Sequence, residues 1–230
     1  MIEQLILDLA QPESPTFANF VPGANREAMA ALSALAAGES RETGVLLWGA
    51  QGAGKSHLLE ACARSAREAA RTVIRCVSPA ALPADDDVAE STLLVVDAVD
   101  AADANAQGRL FTLLNRLAAL HGQWLAAVAL PPARLALRED LRTRLALGLV
   151  LEILPLADAD KPQALAAYAR ERGFRLSDEV IVYLLAHGRR DMKSLVAALA
   201  ALDRRSLAIK RSITVPLLRE WLQRDLGLPP

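Results

Sequence analysis

Short, mainly apolar runs and longer amphipathic stretches alternate along the first two thirds of the chain. The runs are Thr43–Trp48, Thr72–Val77, Thr92–Val96, 124–130 and a last one near 149–153. Thr92–Val96, continuous up to Asp97, is what a strand buried on both faces requires. The stretches between them carry apolar residues at helical spacing. They predict a helix from the N-cap Asn25 to about Ala37, closed by Gly38, then helices from His57 to about Ala70, over 104–121 and over 139–147. Pro79–Glu90, with the acidic run Asp85–Asp87, reads as a connection. Strands alternating with helices predict a parallel sheet covered on both sides.

Past Pro155 the rhythm changes. Residues 160–172, 177–187, 191–207 and 214–226 all read helical, with no strand between them. Asp158, Ser177 and Asp191 suit helix starts, and Thr214-Val-Pro216 sets a cap residue before an early proline. The expected organisation is an α/β domain over 15–155 followed by a small all-helical domain over 156–230. Residues 1–14, with the apolar stretch Leu5–Leu9 and Pro12, read as an extended tail.

Composition narrows the class. At 230 residues, 53% hydrophobic and 23% charged, the chain should be globular with a sizeable core. It has no apolar run long enough to span a membrane and no signal-peptide pattern at its start, so a cytoplasmic, membrane-free protein is expected. A net charge of −1 gives bulk electrostatics no pull toward nucleic acid. Cys62 and Cys76 fall in apolar stretches and read as small core residues, while His57, His121 and His187 form no metal-ligand spacing.

The chemistry starts at Gly49-Ala-Gln-Gly-Ala-Gly54-Lys55-Ser56, a full G-x-x-x-x-G-K-[ST] loop between an expected strand and an expected helix. Glycines let backbone N–H groups turn inward around an anion, and the helix N-terminus adds positive potential. Gly49, Gly52, Ala53, Gly54, Lys55, Ser56 and His57 are therefore the expected cradle for the phosphates of ADP or ATP. Lys55 would reach the outer phosphates and the Ser56 hydroxyl would ligate Mg²⁺. Asp97, at the end of the apolar run 92–96, is the expected second Mg²⁺ ligand. Many ATPases place a second acid straight after this aspartate to polarise water. Here the position is Ala98, and Asp100 is the nearest acid beyond it. The pattern argues for nucleotide binding with weak or absent intrinsic hydrolysis.

Several segments in order resemble the AAA+ ATPases of the DnaA initiator clade. Thr16-Phe-Ala-Asn-Phe20-Val-Pro-Gly23-Ala-Asn25 resembles its T-F-x-N-F-x-x-G-x-N segment, which implies that Phe20 and Val21 lie beside the adenine. Pro131-Pro132 matches the paired proline after the fourth strand. Asp140-Leu-Arg-Thr-Arg144-Leu resembles the box carrying an arginine finger, and Arg190-Asp-Met-Lys-Ser-Leu195 resembles the sensor 2 segment of the lid. The resemblance implies that Arg144 acts in trans on a partner's nucleotide and Arg190 in cis on the chain's own. At 127–129, where the clade tends to carry polar sensor 1 residues, this chain has Ala-Val-Ala.

Two contrasts with the full initiator sharpen the resemblance. The sequence stops after the expected lid, at Pro230, so no DNA-reading helix-turn-helix domain is expected. Ahead of the core, Gln4-Leu5-Ile6-Leu7-Asp8-Leu9 looks like the Q-L-x-L-x-L peptide that docks in the sliding clamp. Together these are similar to the Hda family, the regulatory inactivators of DnaA. That resemblance implies two partners, DnaA and the β-subunit clamp of DNA polymerase III, the latter contacted through Gln4, Leu5, Leu7 and Leu9. DNA would be met only indirectly through the clamp, and a homo-oligomer is compatible with the fold. The alternative is a helicase-loader-type ATPase that binds single-stranded DNA. A nucleotide kinase is disfavoured by the all-helical C-terminal part.

Overall fold

The computed structural model describes residues 15–189, 191–209 and 211–225. The chain divides into two compact units between Pro155 and Leu156.

The first unit is built on five strands: β1 (Gly44–Trp48), β2 (Val73–Cys76), β3 (Leu93–Val96), β4 (Gln123–Val128) and β5 (Leu149–Glu152). Their order is β2-β3-β4-β1-β5 and every pairing is parallel. Four helices cover the sheet: α1 (Arg26–Ala37), α2 (Lys55–Glu68), α3 (Ala104–Ala119) and α4 (Glu139–Ala146). The polar-free strands β1 and β3 follow from this double cover. Along β1, Val45 and Leu47 face Leu32, Leu35, Leu58 and Leu59 of α1 and α2. Leu46 faces the opposite core, where Leu110, Leu113 and Leu114 of α3 meet Leu141 and Leu145 of α4. A side chain on either face is buried, so alternation would leave a polar group in one core or the other. Each leucine so buried stabilises the fold by about 1.5–3 kcal/mol.

The sheet order matters for function. Trp48 of β1 pairs with Val128 of β4, and Val96 of β3 pairs with Ala126 of β4. The carboxyl ends of the three central strands therefore finish together, and the segments leaving β1 and β3 flank the end of β4. In open parallel sheets this edge is where ligands sit.

One expected cap has a different role. Asn25 does occupy the position before α1, but at φ −94° and ψ 26° its side chain makes no cap hydrogen bond. Its amide instead spans to the end of β5: Nδ2 donates to Leu154 O at 2.9 Å and Oδ1 accepts from Leu154 N at 2.8 Å. A long-range backbone pair needing both a donor and an acceptor outcompetes the local cap. Gly38 does close α1, at φ +78°. The connection over 79–90 contains two single 3₁₀ turns, Pro79–Ala81 and Asp85–Asp87.

The second unit holds α5 (Lys161–Glu171), α6 (Asp178–His187), α7 (Met192–Ile209) and α8 (Val215–Asp225). They close over their own core, including Leu165, Ile181, Leu184, Leu199, Leu202 and Leu218. Ser177 caps α6, accepting from Val180 N. Asp191 accepts from Ser194 N at 2.9 Å ahead of α7, and that bond holds its carboxyl below its ordinary value. Asp158, expected to start α5, instead pairs with Lys161 Nζ at 2.6 Å, and Asp160 takes the cap position. Among the described residues no helix is long and apolar enough to cross a membrane.

Candidate functional site

The loop after β1 turns through left-handed backbone at Gly52 (φ +82°) and Gly54 (φ +103°), then enters α2 at Lys55. No side chain caps α2. Its first amides are therefore directed at the loop mouth, as an anion cradle requires. Ala53 is buried in the floor, while Gly52 and Ser56 are exposed at the mouth. Lys55 Nζ donates to Gly49 O at 2.6 Å and Ala50 O at 3.0 Å, so the ammonium lies across the loop. Partial burial lowers its pKa, and the nearby carboxylates of Asp97 and Asp100 act against that shift. The ammonium thus faces two acidic groups at the sheet edge.

Asp97 follows β3 directly, with one oxygen accepting from Ala98 N at 2.9 Å. The other lies 3.7 Å from Arg75 Nη2, and Arg75 Nε lies 3.4 Å from Glu60 Oε2. Ser56 hydroxyl and Asp97 carboxylate are hard oxygen donors of the kind Mg²⁺ takes. Among the described residues no group of three or more His, Cys, Asp or Glu side chains could hold a metal. Mg²⁺ here would thus depend on phosphate oxygens plus these two groups, the usual manner for this ion. The groups that handle water are sparse. Ala98 is exposed at φ +50°, a left-handed position that costs a non-glycine residue about 1–3 kcal/mol. Ala127 and Val128 are buried in β4, and Ala129 leaves it with a methyl group alone.

The approach segment packs onto this loop. Thr16 and Asn19 exchange side-chain-to-backbone hydrogen bonds at 2.8 and 3.1 Å. Phe17 and Phe20 pack on the α1–α2 core, and Val21 is half-buried beside them. His57, on the first turn of α2, meets the Phe20 ring at 5.4 Å between centroids. Its Nε2 lies 2.9 Å from Thr16 O. A carbonyl oxygen only accepts, so Nε2 carries the hydrogen. Burial lowers the His57 pKa, against the pull of that same bond. Phe20, Val21, the loop, Lys55, Ser56, His57 and Asp97 therefore sit together at one edge of the sheet.

Arg144 does not join them. It lies on α4, whose buried residues pack on the face opposite the α1–α2 core. Half-buried, it reaches Leu114 O at 3.5 Å and lines a groove of about 620 Å³ with Phe111, Asp140, Thr143 and Leu147. Asp140 in the same box pairs with Arg138 at 2.7 Å. Arg190 and the tail residues Gln4, Leu5, Leu7 and Leu9 lie outside the described residues.

Residues 158–222 match the family model described as Hda, lid domain, and residues 12–78 match that described as bacterial DnaA ATPase domain. The chain thus carries an Hda lid domain after a segment of the DnaA ATPase type. Its fold is similar to domain III of DnaA from Thermotoga maritima, with 20% identity over 96% of this chain and 100% of that one, at a TM-score of 0.80. It is similar also to AMPPCP-bound DnaA from Aquifex aeolicus, with 22% identity over 95% of this chain and 72% of that one, at a TM-score of 0.71. A more distant likeness is a RuvB mutant of Thermotoga maritima, with 14% identity over 94% and 74% of the two chains and a TM-score of 0.70. The fold is thus an AAA+ P-loop core with a parallel sheet, followed by a small helical lid.

Three residues to which the sequence assigned no role lie beside the candidate site. Thr16 O anchors His57, and Arg75 and Glu60 contact the surroundings of Asp97. The signal for Arg75 was available: a charged residue inside Val73-Ile74-Arg75-Cys76, a strand of a covered sheet, needs a partner.

Proposed function

We propose that this chain is a regulatory adaptor that binds ADP or ATP with Mg²⁺ and stimulates hydrolysis of ATP bound to DnaA. Through residues 4–9 it engages the DNA-loaded sliding clamp, and the outcome is to limit re-initiation of chromosome replication. The observation that carries the reading is an asymmetry of equipment. The loop, Lys55, Ser56 and Asp97 supply what phosphate and Mg²⁺ binding need, while Ala98 and Ala129 offer no side chain to deprotonate or orient water. On the other face of the sheet, Arg144 borders a groove open to a partner. A guanidinium presented across an interface stabilises charge on a transferring phosphoryl group, worth ~10³–10⁵-fold where measured. The binding half is further supported by a structural neighbour that holds AMPPCP.

In this account Gly52, Gly54, Lys55 and the α2 amides orient the phosphates, Ser56 and Asp97 hold Mg²⁺, and His57 keeps Phe20 and Val21 against the adenine. The nucleotide is structural in this chain and chemistry is performed on the partner. The test is ATP hydrolysis by DnaA, with and without this protein, in the presence of DNA-loaded clamp. Stimulation that needs the clamp supports the reading. DnaA turnover unaffected by the protein, with tight binding to single-stranded DNA by the protein alone, overturns it in favour of a loader.

A further inference from the structure

The carboxylate expected to face Mg²⁺ already has a cation beside it. Arg75 comes from β2, its side chain only 12% exposed, with Nη2 3.7 Å from Asp97 Oδ2. It is oriented from two other sides: Nη1 donates to Cys76 O, and Nε lies 3.4 Å from Glu60 Oε2. Glu60 sits one turn past Ser56 on α2, so the guanidinium spans from the phosphate-loop helix to the end of β3. The second oxygen of Asp97 accepts the Ala98 amide. Both oxygens are thus engaged by the protein itself. A divalent ion approaching Asp97 meets a fixed like charge a few ångströms away, and a guanidinium cannot shed its charge by losing a proton.

We propose that Arg75 is a resident competitor of Mg²⁺ at Asp97, which makes nucleotide binding by this chain weakly dependent on Mg²⁺ and sets a high Mg²⁺ threshold for that dependence. The proposal rests on the reading of the loop as an adenine-nucleotide site. Its sign follows from the charges. Without Mg²⁺, Arg75 neutralises Asp97 and spares the phosphates a bare carboxylate. With Mg²⁺, the guanidinium must yield its place at Asp97, or the ion must be held at a distance through water. Removing Arg75 leaves Asp97 and Glu60 both free to attract the ion.

The experiment is binding of a fluorescent ADP analogue to the full chain, titrated with Mg²⁺ from EDTA-chelated to millimolar levels. Arg75→Gln should bind nucleotide more weakly than the parent in EDTA. Its half-maximal Mg²⁺ concentration should fall by about tenfold, the scale of one nearby like charge removed in a partly solvated site. Arg75→Lys, which keeps the charge, should stay near the parent. Glu60→Gln releases Arg75 toward Asp97 and should move the midpoint the other way, a result that does not require Arg75→Gln to fold. A purely structural Arg75 would lower affinity equally at all Mg²⁺ concentrations. That outcome, or unshifted midpoints in Arg75→Gln and Glu60→Gln, overturns the proposal. A parent that binds no nucleotide at any Mg²⁺ concentration overturns the nucleotide-site reading itself.

Discussion

Replacing Gly54 with alanine should destabilise the first unit by more than the same change at Gly52. Both glycines hold positive φ, +82° at Gly52 and +103° at Gly54. A Cβ in this region costs about 1–2 kcal/mol through its approach to the backbone, and that part is common to the two sites. The surroundings differ. A Cβ built on Gly52 meets nothing within 4 Å, whereas on Gly54 it lies 2.8 Å from Phe20 Cε2. The ring must then tilt away from the core it packs on and from His57. Overpacking typically costs about 1–3 kcal/mol, and the low end applies because the outer edge of a half-buried ring is what moves. Gly54→Ala should therefore fall below Gly52→Ala by about 1 kcal/mol. Urea unfolding at constant m-value reads the difference directly. The same pair made in a Phe20→Ala background isolates the contact. There the gap should shrink to about 0.3–0.5 kcal/mol, the level at which uncoupled sites add. Equal midpoints for the two alanines, or a gap that survives the loss of Phe20, would refute the claim that Phe20 is packed against the loop.

Three further outcomes are expected. Asn25→Ala removes both partners of the Leu154 backbone. Leu154 is 42% exposed and water reaches part of it, so the loss should be about 1–2 kcal/mol by denaturant unfolding, with Asn25→Asp in between. For His57, burial sets the folded pKa below the ordinary 6.5, so the unfolded chain takes the proton first. Its contribution is complete above 6.5 and erodes as pH falls from there through the folded pKa. His57→Gln, which keeps a donor for Thr16 O, should flatten thermal melting between neutral pH and about pH 5. Burial pushes the Cys62 thiol up to about 12 and raises Cys76 as well, so neither should react with iodoacetamide until the protein unfolds.

Local signals were legible wherever a residue's role depends on its neighbours in sequence. Gly44–Trp48, the loop and α2 follow one another as the motif demands, and the apolar run ending at Asp97 appears as β3 with its carboxylate at the sheet edge. The change of rhythm after Pro155 appears as four helices. What sequence left hidden is long-range. The placing of β4 between β1 and β3 depends on pairings such as Trp48 with Val128, far apart along the chain. Asn25 looked like a cap because caps are local, yet its partner is Leu154, 129 residues away. Arg75 and Glu60 carried no motif, and only folding brings them beside Asp97. Asp100 could not be aimed from sequence, and in the fold it is close enough to Lys55 to act on its charge.

The central claim is that Arg144 acts on a nucleotide this chain does not itself bind. The most direct measurement is single-turnover hydrolysis of ATP on DnaA with DNA-loaded clamp, comparing the parent with Arg144→Ala, Arg144→Lys and Arg142→Ala. Lysine lacks the planar fork of donors, so both Arg144 variants should lose stimulation while keeping the fold, nucleotide binding and clamp binding, and Arg142→Ala should keep most of it. Stimulation by Arg144→Ala equal to that of the parent, or a loss that merely follows unfolding, would contradict the account.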